Sequence, residues 1–152
     1  MSEYTQDQGE YIFSDGFMHW LPGYTQYQEM RAYFTGGYKV HLSADPNEAK
    51  QVAAAMLPLL RDMGLYHKIV PDRPRYDSMN RGRQQGKFVT VYSGPLQDKF
   101  LRVTKELDAV LCANRFTPGP TPSERLGGHA RQEQAVGLSR TIFYTTSPDF
   151  EL

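Results

Sequence analysis

The run Tyr38-Lys39-Val40-His41-Leu42-Ser43 alternates strictly between apolar and polar residues. In an extended strand Lys39, His41 and Ser43 share one face, and Tyr38, Val40 and Leu42 the other. A lysine and a histidine side by side on a polar face can form one wall of a phosphate-handling site. A half-buried strand with a solvated outer face carries the same pattern. Further along come Lys68 and a series of arginines, Arg81, Arg83, Arg125, Arg131 and Arg140. Arginine forks match phosphate oxygens bidentately. A lysine crowded by other cations is pushed toward its neutral form, the form a general base needs. A protonated histidine can donate to a leaving oxygen. Base, acid and phosphate clamp together suit β-elimination of phosphate from a phosphorylated Ser or Thr. That reaction needs no water nucleophile and no metal.

The elements that must position these groups follow from the pattern. The alternation predicts a strand over 37–43, after the turn Gly36-Gly37. Asp45 as N-cap, Pro46 at the first helical position and Glu48 as capping-box partner predict a helix from there to Gly64. Its apolar stripe is Val52, Met56, Leu59, Leu60 and Met63. A strand over 65–70 carries Tyr66, Lys68 and Val70 on one face and turns His67 the other way. The intervening helix brings this strand back beside the sheet, so that Lys68 can approach His41. Residues 71–86, with Pro71, Pro74, Gly82, Gly86 and four arginines, read as a loop. A strand over 88–92 places Phe88, Thr90 and Tyr92 on one face. A second helix spans about 96–113, with Phe100, Val103, Leu107, Val110 and Leu111 inward. A final strand over 139–145 carries Arg140 at its start. Residues 1–35 are expected to wrap the core, Tyr11-Ile12-Phe13 forming a short strand and His19 playing a structural part. The expectation is one α+β domain over 1–152 with its core over 36–145. Two principal helices pack on a mainly antiparallel twisted sheet.

Composition removes several other functions. Seventeen basic and seventeen acidic residues give zero formal charge, so no bulk field draws the chain to nucleic acid or to a membrane. No run approaches the roughly 20 apolar residues of a membrane span. The N-terminus lacks the basic start and apolar stretch of a secretory signal peptide. One cysteine, Cys112, excludes an internal disulfide, and its apolar surroundings predict a buried thiol. The four histidines are scattered and no cysteine pair exists, which is poor material for a metal site. The Gly-x-Ser-x-Gly elbow and the phosphate-binding Gly-x-x-x-x-Gly-Lys-Ser/Thr loop are both missing. His41-Leu42-Ser43 has no second His-x-Ser/Thr to complete a two-histidine phosphodiesterase.

Taken together, Tyr38 to Ser43, Tyr66 to Val70, Arg81 to Tyr92, Pro122-Ser123-Glu124-Arg125 and Arg140 resemble the bacterial phosphothreonine lyases, a family of type III secreted effectors. They are also similar to the lyase domains of class III lanthipeptide synthetases. The order and spacing agree over roughly 37–144. The resemblance implies a cofactor-free carbon–oxygen lyase acting on a phosphorylated peptide or protein, with Lys68 as general base and His41 as general acid. Lys39 would assist at the phosphate or the developing enolate. Arg81 or Arg83 would hold phosphate, and Arg125 and Arg140 would complete the clamp, with Arg131 a substitute for one of them. Tyr92 would line the site. The acidic N-terminus departs from the basic, apolar segment with which the effectors dock on kinases. The implied location is the bacterial cytoplasm or, by a route without a signal peptide, a host cell. A scaffold of this kind that has lost catalysis would instead be a phosphate- or protein-binding module.

Overall fold

The computed structural model describes residues 3–6, 8–22, 37–82, 84–122 and 133–146. Their architecture is α+β, a seven-stranded sheet carrying three helices. In chain order the elements are β1 (Ile12–Ser14), β2 (Phe17–Trp20), β3 (Tyr38–Leu42), α1 (Ala49–Asp62), β4 (Tyr66–Ile69), α2 (Arg73–Met79), β5 (Val89–Gly94), α3 (Gln97–Asn114), β6 (Gln134–Val136) and β7 (Ile142–Thr146). The strand order is β1-β2-β4-β5-β3-β7-β6, and every pairing among the described strands is antiparallel.

The alternation in β3 sets the two faces of the sheet. Val40 lies opposite Val91 and Tyr144, and Leu42 opposite Val89 and Ile142. Laterally paired residues point the same way, so these side chains form one apolar sheet face. They join a single core with Ala49, Val52, Ala53, Met56, Leu57 and Leu60 of α1 and Phe100, Val103, Leu107 and Leu111 of α3. Tyr38 stacks on Phe100 with ring centroids 4.1 Å apart. The opposite face carries the polar residues. The chain passes from β3 through α1 to β4, and β5 then fills the place between those two strands.

Several local expectations need correction. Helix α1 starts at Ala49, three residues past Pro46. The Asp45 carboxylate accepts from Asn47 N (2.8 Å), and the Glu48 carboxylate from Thr117 N (2.7 Å). The capping box is therefore replaced by a turn and a long-range tie. The stretch 71–86 is only partly loop, because α2 occupies its middle. Asp72 caps α2 by accepting from Arg75 N at 2.9 Å. The Tyr76 hydroxyl donates to Ala44 O at 2.6 Å, which fastens this helix to the end of β3. Residues 12–20 form a hairpin that extends the sheet beside β4 rather than wrapping it. Its turn, Asp15-Gly16, takes two left-handed conformations, as tight hairpins require. Phe88 precedes β5 and joins the main core beside Tyr4 and Tyr76. Cys112 is exposed, because Leu107 and Leu111 take the inward positions at the end of α3. Strand β6 was not foreseen.

His67 sits on the apolar face of β4, fully buried and opposite Val91 and Trp20. Its Nδ1–H donates to Leu65 O at 2.9 Å, so Nε2 accepts from the Tyr11 hydroxyl at 2.8 Å. Burial pushes its pKa down to about 4, against the lesser upward pull of the Leu65 carbonyl. The folded value lies below the unfolded one, so acid favours the unfolded chain. Stability from this group is fully present above pH 6.5 and is lost as pH falls toward 4, on the order of 3 kcal/mol in all. Urea unfolding at pH 7 and pH 4.5 is expected to show this loss, and a folded His67→Gln variant a shallower one. Equal slopes for the two proteins would contradict the assignment.

Candidate active site

The polar face of the sheet is organised as lateral rows. Lys68 on β4 lies opposite Thr90 on β5, and Thr90 lies opposite His41 on β3. The three side chains therefore point to the same side. With strands about 4.8 Å apart, the backbones of Lys68 and His41 stand about 10 Å from each other. His19 on β2 and Phe143 on β7 extend the row outward. Two residues along each strand lies a second row, Tyr66, Tyr92, Lys39 and Thr145. Lys39, His41, Lys68 and Tyr92 thus share one face.

His41 is held by burial and by one long-range bond. It is 2% exposed, and its Nδ1 bonds a Glu133 carboxylate oxygen. A carboxylate only accepts, so Nδ1 carries the hydrogen and Nε2 is the nitrogen left for a substrate. Burial pushes the His41 pKa down to about 4. The Glu133 hydrogen bond and charge pull it up, while Lys87 and Lys39 push it further down. The free site therefore holds a neutral imidazole, whereas the acid expected there was a protonated one. Glu133 Oε2 is buried with no hydrogen-bond partner among the described residues.

The remaining groups frame this pair. Lys68 Nζ lies 4.3 Å from the centroid of the Phe17 ring, which shields one side of the ammonium. Lys39 Nζ lies 5.9 Å from the centroid of Tyr92. Tyr92 stacks on Tyr66 at 4.6 Å, and Tyr66 on His19 at 6.0 Å. His19 Nε2–H donates to Ser14 O and its Nδ1 meets the Tyr66 hydroxyl, both at 2.9 Å. These two bonds make His19 a brace for the hairpin. At the end of β3 the Ser43 hydroxyl donates to Pro120 O, and Gln85 Nε2 donates to Thr121 O at 2.9 Å. The segment 118–122 is thereby clamped between the strand end and the turn before β5.

The expected arginines are a different matter. Arg81 is exposed in the turn after α2. Arg140 is exposed with φ +59°, in the turn that precedes β7 rather than in the strand. The backbone of that turn is held by the Asp108 carboxylate of α3, which accepts from Leu138 N and Ser139 N at 2.9 Å. Arg83, Arg125 and Arg131 lie outside the described residues. Three site groups escaped the sequence reading. Thr90 was legible from its alternation with Tyr92. Lys87 was visible only as one cation among many. Glu133 had no signal at all, because 92 residues separate it from His41. Among the described residues no group of three His, Cys, Asp or Glu side chains is placed to hold a metal ion. No described helix is long and apolar enough to cross a membrane.

The same architecture occurs in known structures. The chain is similar to the type III effector and phosphothreonine lyase OspF from Shigella flexneri, with a TM-score of 0.60 at 16% identity over 91% of this chain and 74% of that one. It is also similar to the phosphothreonine lyase SpvC, an effector protein from Salmonella, with a TM-score of 0.58 at 16% identity over 96% and 76%. At this identity the likeness shows a shared fold. No curated protein sequence matches the chain. A family model, that of the N-terminal domain of RamC, matches residues 5–121. That span is most of the sequence, and the chain belongs to the RamC N-terminal domain family, which is related to the lanthipeptide synthetases.

Proposed function

We propose that this protein is a carbon–oxygen lyase that removes phosphate from phosphorylated Ser or Thr in a peptide or protein. The observation that carries the reading is the row Lys68–Thr90–His41, with an amine and an imidazole on one face of three adjacent strands. A phosphorylated residue lying across Thr90 has its Cα at the Lys68 end and its phosphate at the His41 end. Neutral Lys68 takes the Cα proton. The electron pair of that C–H bond forms the Cα–Cβ double bond as the Cβ–O bond breaks. Protonated His41 gives its Nε2 proton to the leaving phosphate oxygen. The products are a dehydroamino acid residue and free phosphate, and no water is consumed. Proton transfer by each positioned group contributes about 100- to 10,000-fold.

Supporting roles follow from position. Lys39, two residues from His41, assists at the phosphate or the enolate. Tyr92 forms part of the floor through its stack on Tyr66. Arg81, Arg83, Arg125 and Arg140 remain the proposed phosphate clamp. Pro122 and Glu133, described residues on either side of the stretch that carries Arg125 and Arg131, stand beside Gly86 and His41 respectively. The fold shared with two phosphothreonine lyases supports the same reaction class.

Mass spectrometry of a phosphothreonine peptide distinguishes the outcomes. A lyase removes phosphoric acid and leaves a dehydroamino acid, a phosphatase leaves the alcohol, and a binding module changes nothing. Lys68→Ala is expected to lower kcat by at least about 100-fold while phosphopeptide affinity largely survives. Equal loss of binding in a folded Lys68→Ala protein would remove the base assignment. Glu133→Gln is expected to drop kcat by about 10-fold or more with little change in KM, since the imidazole loses the charge that orients it. The same variant should move the His41 pKa below its value of about 4, because Glu133 is the group that raises it. An unchanged kcat and an unchanged imidazole titration would remove Glu133 from the machinery.

A further inference from the structure

Strand β6 delivers Glu133 to the site, and β6 itself buries little. It is an edge strand of three residues, with Gln134 and Ala135 exposed and Val136 half-buried. So short a pairing is marginal without outside support. Yet its register decides where Glu133 stands. Ala135 lies opposite Phe143, and Phe143 opposite His41. Glu133, two residues before Ala135, is set beside that row, and its carboxylate bonds His41 Nδ1. A slip of one residue in β6 would turn Glu133 to the reverse face of the sheet.

Support comes from α3. Its Asp108 carboxylate accepts from both Leu138 N and Ser139 N at 2.9 Å, and so grips two successive backbone donors of the turn after β6. Gly137 is part of the same grip. A Cβ there would collide with the Asp108 carboxylate, and its φ of +83° is one that L side chains rarely adopt. About two turns earlier on the helix, Phe100 stacks on Tyr38 of β3 at 4.1 Å and meets Tyr144 of β7 edge-on at 4.8 Å. The Tyr144 hydroxyl donates to Gln134 Oε1 of β6 at 3.0 Å. Phe100 and Asp108 stand about 12 Å apart on one rigid rod. From the reverse face of the sheet α3 thus fixes the strand of His41 and the turn of β6 in a common frame. Resting on the lyase reading, we propose that Asp108 is a positioning residue: it holds the turn after β6 so that Glu133 meets His41 Nδ1 and leaves Nε2 for the substrate. Asp108 touches neither the imidazole nor the reacting atoms. It acts through the β6–β7 hairpin and Glu133.

The test uses the full chain, a phosphothreonine peptide and a double-mutant cycle of Asp108→Ala with Glu133→Gln. Asp108→Ala is expected to lower kcat by about 3- to 10-fold with KM nearly unchanged. Asp108→Asn, which keeps one acceptor, is expected to lower it less. In the Glu133→Gln background Asp108→Ala is expected to cost nothing further, because the contact it supports is already lost. Imidazole NMR is expected to show His41 as the Nδ1–H tautomer in the parent and as a mixture of tautomers in Asp108→Ala. Fully additive losses in the cycle, or a parent-like kcat and tautomer in a folded Asp108→Ala protein, would overturn the proposal. Should that variant not fold, Gly137→Ala, which drives the turn off the carboxylate, takes its place with the same expected and contrary results. The two readings fail separately. A wild-type protein that eliminates nothing, but whose His41 tautomer responds to Asp108→Ala, upholds the positioning and removes the lyase. Elimination that Asp108→Ala leaves untouched removes Asp108 alone.

Discussion

The lateral register of β4, β5 and β3 is the constraint on which the rest depends. A strand that slips by one residue turns every side chain to the opposite face. Lys68 and His41 lie on different strands with β5 between them, so two registers must hold at once. Neither is held by the polar groups themselves. Val40, Leu42, Val89, Val91 and Ile69 are buried against the helices on the reverse face, and their burial fixes the pairing. Each chemical residue is therefore placed by its apolar neighbours in sequence. Lys39 and His41 face the site because Tyr38, Val40 and Leu42 face the core.

The second constraint is electrostatic. His41 and Thr90 are 2% exposed, Lys87 is 6% exposed, and the Glu133 side chain is nearly as buried. Removing such groups from water costs stability unless partners compensate. Glu133 compensates His41 in part, and in doing so ties the segment before β6 to the central strand. Burial also accounts for the neutral imidazole, since a desolvated histidine gives up its charge first. The same effect acts on His67 on the opposite face, where it bears on stability alone.

How much of this was legible in the sequence depended on the range of the interaction. The alternation of β3 and β5 and the stripes of α1 and α3 are local patterns, and they predicted the two faces and the α+β class correctly. The start of α1 was misplaced because Asp45 and Glu48 direct their carboxylates to Asn47 and Thr117 instead of to each other's backbone. Helix α2 was hidden by the prolines and arginines in and around it, although Asp72 ahead of Pro74 was a readable cap. Cys112 was read as buried from an apolar neighbourhood, when helical phase put Leu111 inward instead. Glu133 could not be read at all, because its partner is remote in sequence. The arginine clamp is what the resemblance implies, with no local pattern behind it. The fold puts Arg81 and Arg140 in exposed turns, and Arg83 and Arg125 fall outside the described residues.

The claim at the centre is that one phosphorylated residue spans this row with its two ends presented to two different groups. A crystal structure of the Lys68→Ala protein with a bound phosphothreonine peptide measures that directly. The expected result is the phosphate within hydrogen-bonding distance of His41 Nε2, the side chain across Thr90, and the Cα–H directed at the space vacated by Lys68. A peptide bound on the helical side of the sheet, or one whose phosphate sits at the residue 68 end, would contradict it.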